Sequence, residues 1–436
     1  HEVHALVARL PHLRETLAGN SGRTLMQITQ GKHSRRSFLT RTGGGLAGLA
    51  ASGSVLGINR PLWGAVSPEA IGALGSADNN GVRLPEGFRS RIVAEAGYRV
   101  RRSFFDRLDY RWHIYPDGGA TFATGDGGWV YASNCEAPSF LGGGVSALRF
   151  ESNGRLADAY RILDGTNQNC AGGPTPWNTW LSCEEIPFGR VYECDPFGQN
   201  PAVVRTALGF FKHEAVAVDD TRGVLYLTED ESDGRFYRFI PDSTNDDGSL
   251  NLDAGVLQVA RVENVTGVVE WLDVPNPTPG IFETPTREQL AESTAFNGGE
   301  GIWYANDRVY FTTKGDNRVW CLFVDTQTLT IIYEAASSDN PILTGVDNVT
   351  VAPTGEILVA EDGGDMQIVV LDEAGQAAPL LQIVDQDQSE ITGPAFSPDG
   401  ERLYFSSQRG SRIFGGRGFG LTYEITGPFA EILGSD

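Results

Sequence analysis

Cys170, Cys183, Glu184 and Glu185 are the residues of this chain whose types and spacing most plainly invite chemistry. They bracket Asn169–Glu185, a stretch that reads as two short strands around a tight turn, with one thiol near its start and a thiol and two carboxylates at its end. Elsewhere, pairs of polar ligand types close other short apolar runs: Glu229-Asp230, Glu361-Asp362, and Asn134 and Glu136 on either side of Cys135. A further set, Glu214, Glu300, Asp347 and Asn348, stands upstream of such runs. A thiolate combined with carboxylates suits a transition metal such as iron, whereas an all-oxygen set suits calcium. Carboxylates crowded around one point repel one another unless cations lie between them. Lys212, Lys314 and Arg409 are the basic residues nearest these runs. Each of these residues also has a plain structural reading: a single cysteine is commonly a small core residue, and a strand-end acidic pair a solvated turn.

The elements that must position these groups form a repeat. Trp129–Asn134, Thr179–Cys183, Leu225–Glu229, Val309–Thr313, Ile357–Glu361 and Leu403–Ser407 share one pattern: an aromatic residue or leucine, apolar or small residues, then a polar end. Ten residues before Trp180, Tyr310, Leu358 and Tyr404 stand Cys170, Glu300, Asn348 and Pro394; Tyr131 gives Thr121, and Tyr226, with a longer turn, gives Glu214 at twelve. Another strand pair follows each run, within 145–163, 189–211, 234–262, 317–335 and 366–384; the last is cut short at Gly420–Phe429. Four strands in roughly 40–50 residues mark a propeller, so the chain is expected to be all-β, with six blades around a central channel. A strand at Phe88–Ala96 is expected to pair beside Gly420–Phe429 and close the last blade, removing a free edge. The innermost strands then bring a thiol and carboxylates to one axis.

Ser34-Arg35-Arg36-Ser37-Phe38-Leu39 is a twin-arginine pattern, and the Gly-rich run Thr42–Ile58 after it is too weakly apolar for a membrane span. Residues 1–75 are therefore expected to be an extension and export signal engaging the twin-arginine translocation machinery. Residues 76–436 are expected to be one propeller domain, a monomer exported to the periplasm or beyond. Without the eight basic and two acidic residues of 1–60, 26 Lys and Arg face 54 Asp and Glu, a net charge of −28. That charge argues against nucleic acid or an anionic membrane as partner. Four of the six histidines lie in the leader, leaving His113 and His213. Such scarcity argues against a histidine-based zinc site or a Ser-His-Asp triad. Five cysteines without framework spacing argue against a disulfide scaffold.

Asn134-Cys135-Glu136, Asn169–Glu185, Lys212-His213-Glu214, Glu229-Asp230, Gly299-Glu300-Gly301, Asp347-Asn348 and Glu361-Asp362, together with the twin-arginine leader, resemble the PhoX-type alkaline phosphatases. The resemblance implies a six-bladed propeller holding two ferric and three calcium ions around an oxo group, and hydrolysis of phosphate monoesters outside the cytoplasm. It implies Cys170, Glu214 and Glu300 as iron ligands and the strand-end groups, Asn134, Glu136, Glu184, Glu185, Glu229, Asp230, Glu361 and Asp362, mostly as calcium ligands, with Asp347, Asn348 and Cys183 beside them. Glu300, Lys314 and Arg409 are the expected catalytic residues. The chain departs from that family at Gly298-Gly299, where the family has Arg-Pro and the arginine binds phosphate. It also has Cys135 where the family often has His. Restoring the pattern with Gly298→Arg and Gly299→Pro is accordingly expected to raise activity. A calcium-dependent lactonase or phosphotriesterase, or a non-catalytic metal-stabilised binding propeller, are the alternative readings of the same ring.

Overall fold

Short strands rich in Val, Leu, Tyr and Phe, separated by turns that reverse the chain, give this protein its architecture. The computed structural model describes residues 71–434 apart from 104, 373 and 413–417. The twin-arginine segment lies outside the described residues. All of these belong to one compact unit, Trp63–Asp436. The arrangement is all-β and propeller-like, with one short α-helix, Phe429–Leu433, among the described residues. None of their helices is long and apolar enough to cross a membrane.

Most sheets are antiparallel meanders in chain order. Pro116–Ala123, Trp129–Cys135, Gly144–Phe150 and Leu156–Asp164 form one, and Asn169–Pro174, Trp180–Glu184, Val191–Cys194 and Val203–Val204 another. Val346–Val351, Ile357–Glu361, Gln367–Leu371 and Ala377–Ile383 form a third, with Val82–Arg83 added at its outer edge. Between them lies a nine-stranded sheet. One half runs from His213–Asp219 outward to Gly267–Asp273, and the other from Gly299–Ala305 outward to Thr328–Glu334. Among the described residues, the strand ladders of the two halves meet at just Gly267↔Leu329 and Val268↔Thr328. The final sheet places Ile391–Phe396, Arg402–Ser407 and Leu421–Thr426 beside Arg89–Glu95, which pairs from Arg89↔Thr426 to Glu95↔Leu421. The early strand thus covers the C-terminal edge as the sequence suggests. The strand Gly267–Asp273, of mixed polarity, and the arginine-rich hairpin of Arg99–Arg101 with Arg107–Arg111 are not signalled by the sequence pattern, because both are largely exposed.

The innermost strands touch one another in chain order, and Ile391–Phe396 returns to Pro116–Ala123. Their approach is close: a Cβ on Gly118 would lie 2.5 Å from the Cα of Ala171 on the neighbouring strand. Further out, aromatic side chains fill the wedges between neighbouring sheets and between the two halves of the nine-stranded one. Phe236 stacks on Phe311 at 4.5 Å, and Tyr131 stacks on Tyr404 at 5.2 Å. Trp129 Nε1 donates to Tyr404 Oη at 3.1 Å, tying the first meander to the last sheet.

The closing strand has an electrostatic anchor. Glu424 is buried and accepts from Arg91 at 2.7 Å, from Arg402 at 3.0 Å and from Tyr404 Oη at 2.7 Å. Removing one partner of a buried charge cluster leaves the others unpaired, at a typical cost of about 3 kcal/mol. Glu424→Leu should therefore destabilise the fold by about that amount, read as a lowered denaturant midpoint; Arg91→Leu, whose guanidinium is half exposed, should cost less.

Candidate metal centre

A repeated distortion of the ladders builds the site. Near one end of the inner hairpins, the last regular pairs are Pro116↔Cys135, His213↔Glu229, Gly299↔Thr313 and Val346↔Glu361, with Asn169↔Glu184 and Ile391↔Ser407 matching them. In each hairpin the register shifts within the next few residues, so that two inner-strand residues face one on the second strand. Bulges of this kind re-aim side chains. The inner-strand residue just past each pair is Asp117, Cys170, Glu214, Glu300, Asp347 or Thr392. The second-strand residue just beyond it is Glu136, Glu185, Asp230, Lys314, Asp362 or Gln408. The backbone N–H of each of these second residues donates across the hairpin mouth, to the carbonyls of Tyr115, Gln168, Lys212, Gly298, Gly345 and Glu390 in turn, at 2.7–3.2 Å.

Neighbouring hairpins also hold one another's ligands in place. The residue facing the bulge reaches to the next inner strand: Asn134 Nδ2 donates to the Cys170 and Ala171 carbonyls at 3.0 and 2.7 Å, Thr228 Oγ1 to the Glu300 carbonyl at 2.5 Å, and Thr312 Oγ1 to the Asp347 carbonyl.

Ligand atoms of Cys170, Glu185 and Glu214 lie within 4.8 Å of one another, as do those of Glu214, Glu300 and Asp347. Glu214 belongs to both groups, and its buried Oε1 has no hydrogen-bond partner. Two ammonium groups line the same arc. Lys212 Nζ lies 2.9 Å from Glu185 Oε1 and 2.6 Å from Asp230 Oδ2; Lys314 Nζ lies 2.9 Å from Asp230 Oδ2 and 2.6 Å from Glu300 Oε1. Opposite, Arg409 pairs with Glu390 and lies 3.8 Å from Glu136, while Gln408 Nε2 donates to Asp117 at 2.6 Å and to Glu136 at 2.8 Å.

Burial, reinforced by neighbouring carboxylates, drives the carboxyls of Asp117, Glu214 and Asp347 well above their ordinary range. Burial likewise raises Glu300 well above its range, with Lys314 opposing. Glu136 is pushed up to about 8 and Glu390 to about 7, in both cases chiefly by burial. The Cys170 thiol is raised by burial and by the charges of Asp117 and Glu214. Asp230 is the exception: burial opposes its ionisation, but a hydrogen bond with Glu185 and the two lysines hold it down at about 2. A thiol, a crowd of carboxyls whose ionisation burial and mutual repulsion oppose, and an orphaned buried oxygen fit a cation-binding centre, since a cation would supply the missing counter-charge.

Of the residues the sequence singled out, Cys170, Glu136, Glu185, Lys212, Glu214, Asp230, Glu300, Lys314, Asp347, Asp362 and Arg409 occupy the ring or its immediate ion pairs. The structure does not bring the others into it. Asn134 spends its amide on backbone and accepts from Trp180 Nε1 and Ser182 Oγ, both at 2.9 Å. Cys183 is packed among Leu181, Val191 and Leu227. Glu184, Glu229 and Glu361 accept from the backbone N–H groups of Asn167, Arg235 and Thr344, bracing the adjoining turns. Asn348 donates to Asp347 at 2.8 Å and accepts from Gly393 N–H at 2.7 Å. Counting ten residues back missed Asp117 and pointed instead to Thr121, whose hydroxyl donates to the Phe396 carbonyl. A readable signal was available: in most hairpins the ring residue precedes a small one, as in Asp117-Gly118, Cys170-Ala171, Glu214-Ala215 and Glu300-Gly301. Glu390 had no such signal.

Restoring arginine at position 298 now looks unfavourable. Gly298 has φ +70°, and a Cβ there would stand 2.9 Å from Lys314 Cγ, so the lysine stem already fills that space. An arginine at this position would strain the backbone and displace the lysine stem, which opposes the gain in activity that the sequence pattern suggests for Gly298→Arg.

A family model described as alkaline phosphatase PhoX matches residues 143–410. No curated protein matches the chain. Among solved structures, Pseudomonas fluorescens PhoX in complex with vanadate, a transition state analogue, is similar with a TM-score of 0.65 and 18% identity, covering 81% of this chain and 97% of that one. A Bacteroides thetaiotaomicron protein of unknown function follows at TM-score 0.48 and 10% identity, covering 78% and 76%. A gluconolactonase from Xanthomonas campestris follows at 0.38 and 14%, covering 72% and 86%.

The raised carboxyls give a signed pH dependence. Their folded pKa values lie above the unfolded ones, so their contribution to stability is full below the unfolded value of 4.5 for Glu and is lost as pH rises through about 7 for Glu390 and about 8 for Glu136. The metal-free protein should therefore show a Tm that falls between about pH 5 and pH 9. Loading with calcium and ferric iron should flatten that fall. A metal-free Tm that rises across this interval would contradict the assignment of these groups to a shared buried ring.

Proposed function

The chain belongs to the alkaline phosphatase PhoX family, and on that premise we propose that it is an exported, metal-dependent hydrolase of phosphate monoesters, acting at the ring as a monomer. We read the nine-stranded sheet as two blades zipped at their outer edges, which makes the whole a six-bladed propeller. The narrow, two-pair junction between its halves supports that reading. The twin-arginine pattern at Arg35-Arg36 supports export by that route.

The observation that carries the catalytic reading is the paired grouping of Cys170, Glu185 and Glu214 with Glu214, Glu300 and Asp347. We assign these two groups to iron, with Glu214 shared. Asp117, Glu136, Asp362 and Glu390 form an oxygen-only arc suited to calcium. Asn134, Cys183, Glu184, Glu229, Asn348 and Glu361 are left as braces. Bound cations would supply Lewis acidity toward phosphoryl oxygens and counter-charge for the transition state.

The chain's own residues then have separable tasks. The Lys314 ammonium pairs with Asp230 and Glu300, and its side chain is 41% exposed, so a remaining N–H can donate to an equatorial phosphoryl oxygen. Arg409, partly exposed on the opposite arc, can do the same from the other side. Together they stand in for the arginine that Gly298 lacks. The ester is held with its phosphoryl group between these donors, water attacks phosphorus, and the alcohol leaves as the P–O bond breaks. Glu300 keeps Lys314 oriented while serving as a ligand.

The test is hydrolysis of an aryl phosphate, an aryl diester and a lactone by protein purified from its export route, with iron and calcium quantified. The monoester should be preferred. Glu300→Ala should abolish activity, and Cys170→Ser should lower iron content while leaving calcium largely bound. Lys314→Met should reduce kcat/KM by about 10²–10³, the usual effect of losing one well-placed donor. Lactone hydrolysis without monoesterase activity, in protein carrying calcium alone, would replace this reading with a lactonase.

A further inference from the structure

The second-strand position of the ring carries an acid or an amide in five hairpins, Glu136, Glu185, Asp230, Asp362 and Gln408, and a lysine in one, Lys314. The lysine is built in rather than tolerated. Its N–H donates to the Gly298 carbonyl at 2.8 Å, as in the other hairpins, so its backbone follows the common register. Its stem passes over Gly298, where φ is +70° and a Cβ would lie 2.9 Å from Lys314 Cγ. Its ammonium ends between two carboxylates from different hairpins, 2.6 Å from Glu300 Oε1 and 2.9 Å from Asp230 Oδ2. A bound divalent cation would take up such a position between buried carboxylates. Lys212 repeats the arrangement one step along, between Asp230 and Glu185, so Asp230 Oδ2 is held by two ammonium groups. The line Glu185, Lys212, Asp230, Lys314, Glu300 alternates in sign.

We infer that Lys314 is a resident cation that takes the place of one metal ion, so that this chain's centre binds one divalent cation fewer than its ring of ligands would otherwise accept. It rests on the metal-centre reading above but not on the reaction. The same ammonium can do both jobs, since neutralising Asp230 and Glu300 leaves a donor for substrate. The corollary concerns Gly298: a side chain there would displace the lysine stem, so glycine at 298 and lysine at 314 form a matched pair.

The experiment counts calcium. Wild type, Lys314→Arg, Lys314→Met and Lys314→Glu, each folded by circular dichroism, are loaded with iron, titrated with calcium chloride by calorimetry, and analysed for metal after gel filtration. Wild type and Lys314→Arg should bind the same number of ions. Lys314→Glu, which restores a carboxylate at this position, should bind one more calcium per chain and should gain more Tm from calcium than wild type does. Lys314→Met should bind the additional ion weakly or show a lowered Tm that millimolar calcium restores. Equal calcium counts in wild type and folded Lys314→Glu would overturn the inference, as would a Lys314→Glu protein that fails to fold even with excess calcium. Activity is measured separately on wild type: no phosphatase activity in fully metal-loaded wild type, with the ion-count shift of Lys314→Glu intact, would reject the hydrolase reading alone.

Discussion

Repulsion among buried carboxyls is the constraint on which the rest of this structure depends. Asp117, Glu136, Glu185, Glu214, Asp230, Glu300, Asp347 and Glu390 approach one axis, and burial removes much of the water that would screen them. A fold can hold such a ring only if its backbone is fixed by interactions independent of the charges. Here those interactions are the ladder pairs, the carbonyl contacts across each hairpin mouth, and the side-chain bonds from Asn134, Thr228 and Thr312 to the next inner strand. The aromatic stacks between sheets then resist any outward relaxation. Lys212, Lys314 and Arg409 remove part of the repulsion from within.

The sheet order of the inner hairpins could be read in the sequence because it depends on local pattern. An apolar run with a polar end is a second strand wherever it occurs, and the strand before it must lie within a short turn. The ring residues were legible where the turn was short, as for Glu300, because a fixed offset then lands on the right residue. They were not legible where a longer turn changed the count, as between Ala123 and Trp129 or Val351 and Ile357. Asn348 was chosen beside Asp347 as a ligand for this reason, and Asp117 was passed over for Thr121. The strand-end pairs were found but only half understood. Strand alternation sends Glu185, Asp230 and Asp362 to the axis and turns Glu184, Glu229 and Glu361 back onto their own turns. Sequence alone shows two adjacent acids; which of them faces inward is a matter of register. The outer strand Gly267–Asp273 escaped notice because nothing about an exposed, mixed-polarity segment distinguishes it from a loop.

The position facing each bulge has a wider consequence. Because Asn134, Thr228 and Thr312 each fasten the strand that follows, a ring ligand is placed by its own hairpin and by the preceding neighbour together. Such a centre resembles a row of interlocked drawers more than a set of separate spokes. Inheritance of a new ligand at one station then requires a compatible fastener one station earlier. Change in such a lineage should proceed by neighbouring couples, leaving distant stations untouched. Gly298 and Lys314 are a couple of another kind, matched across the mouth of a single hairpin.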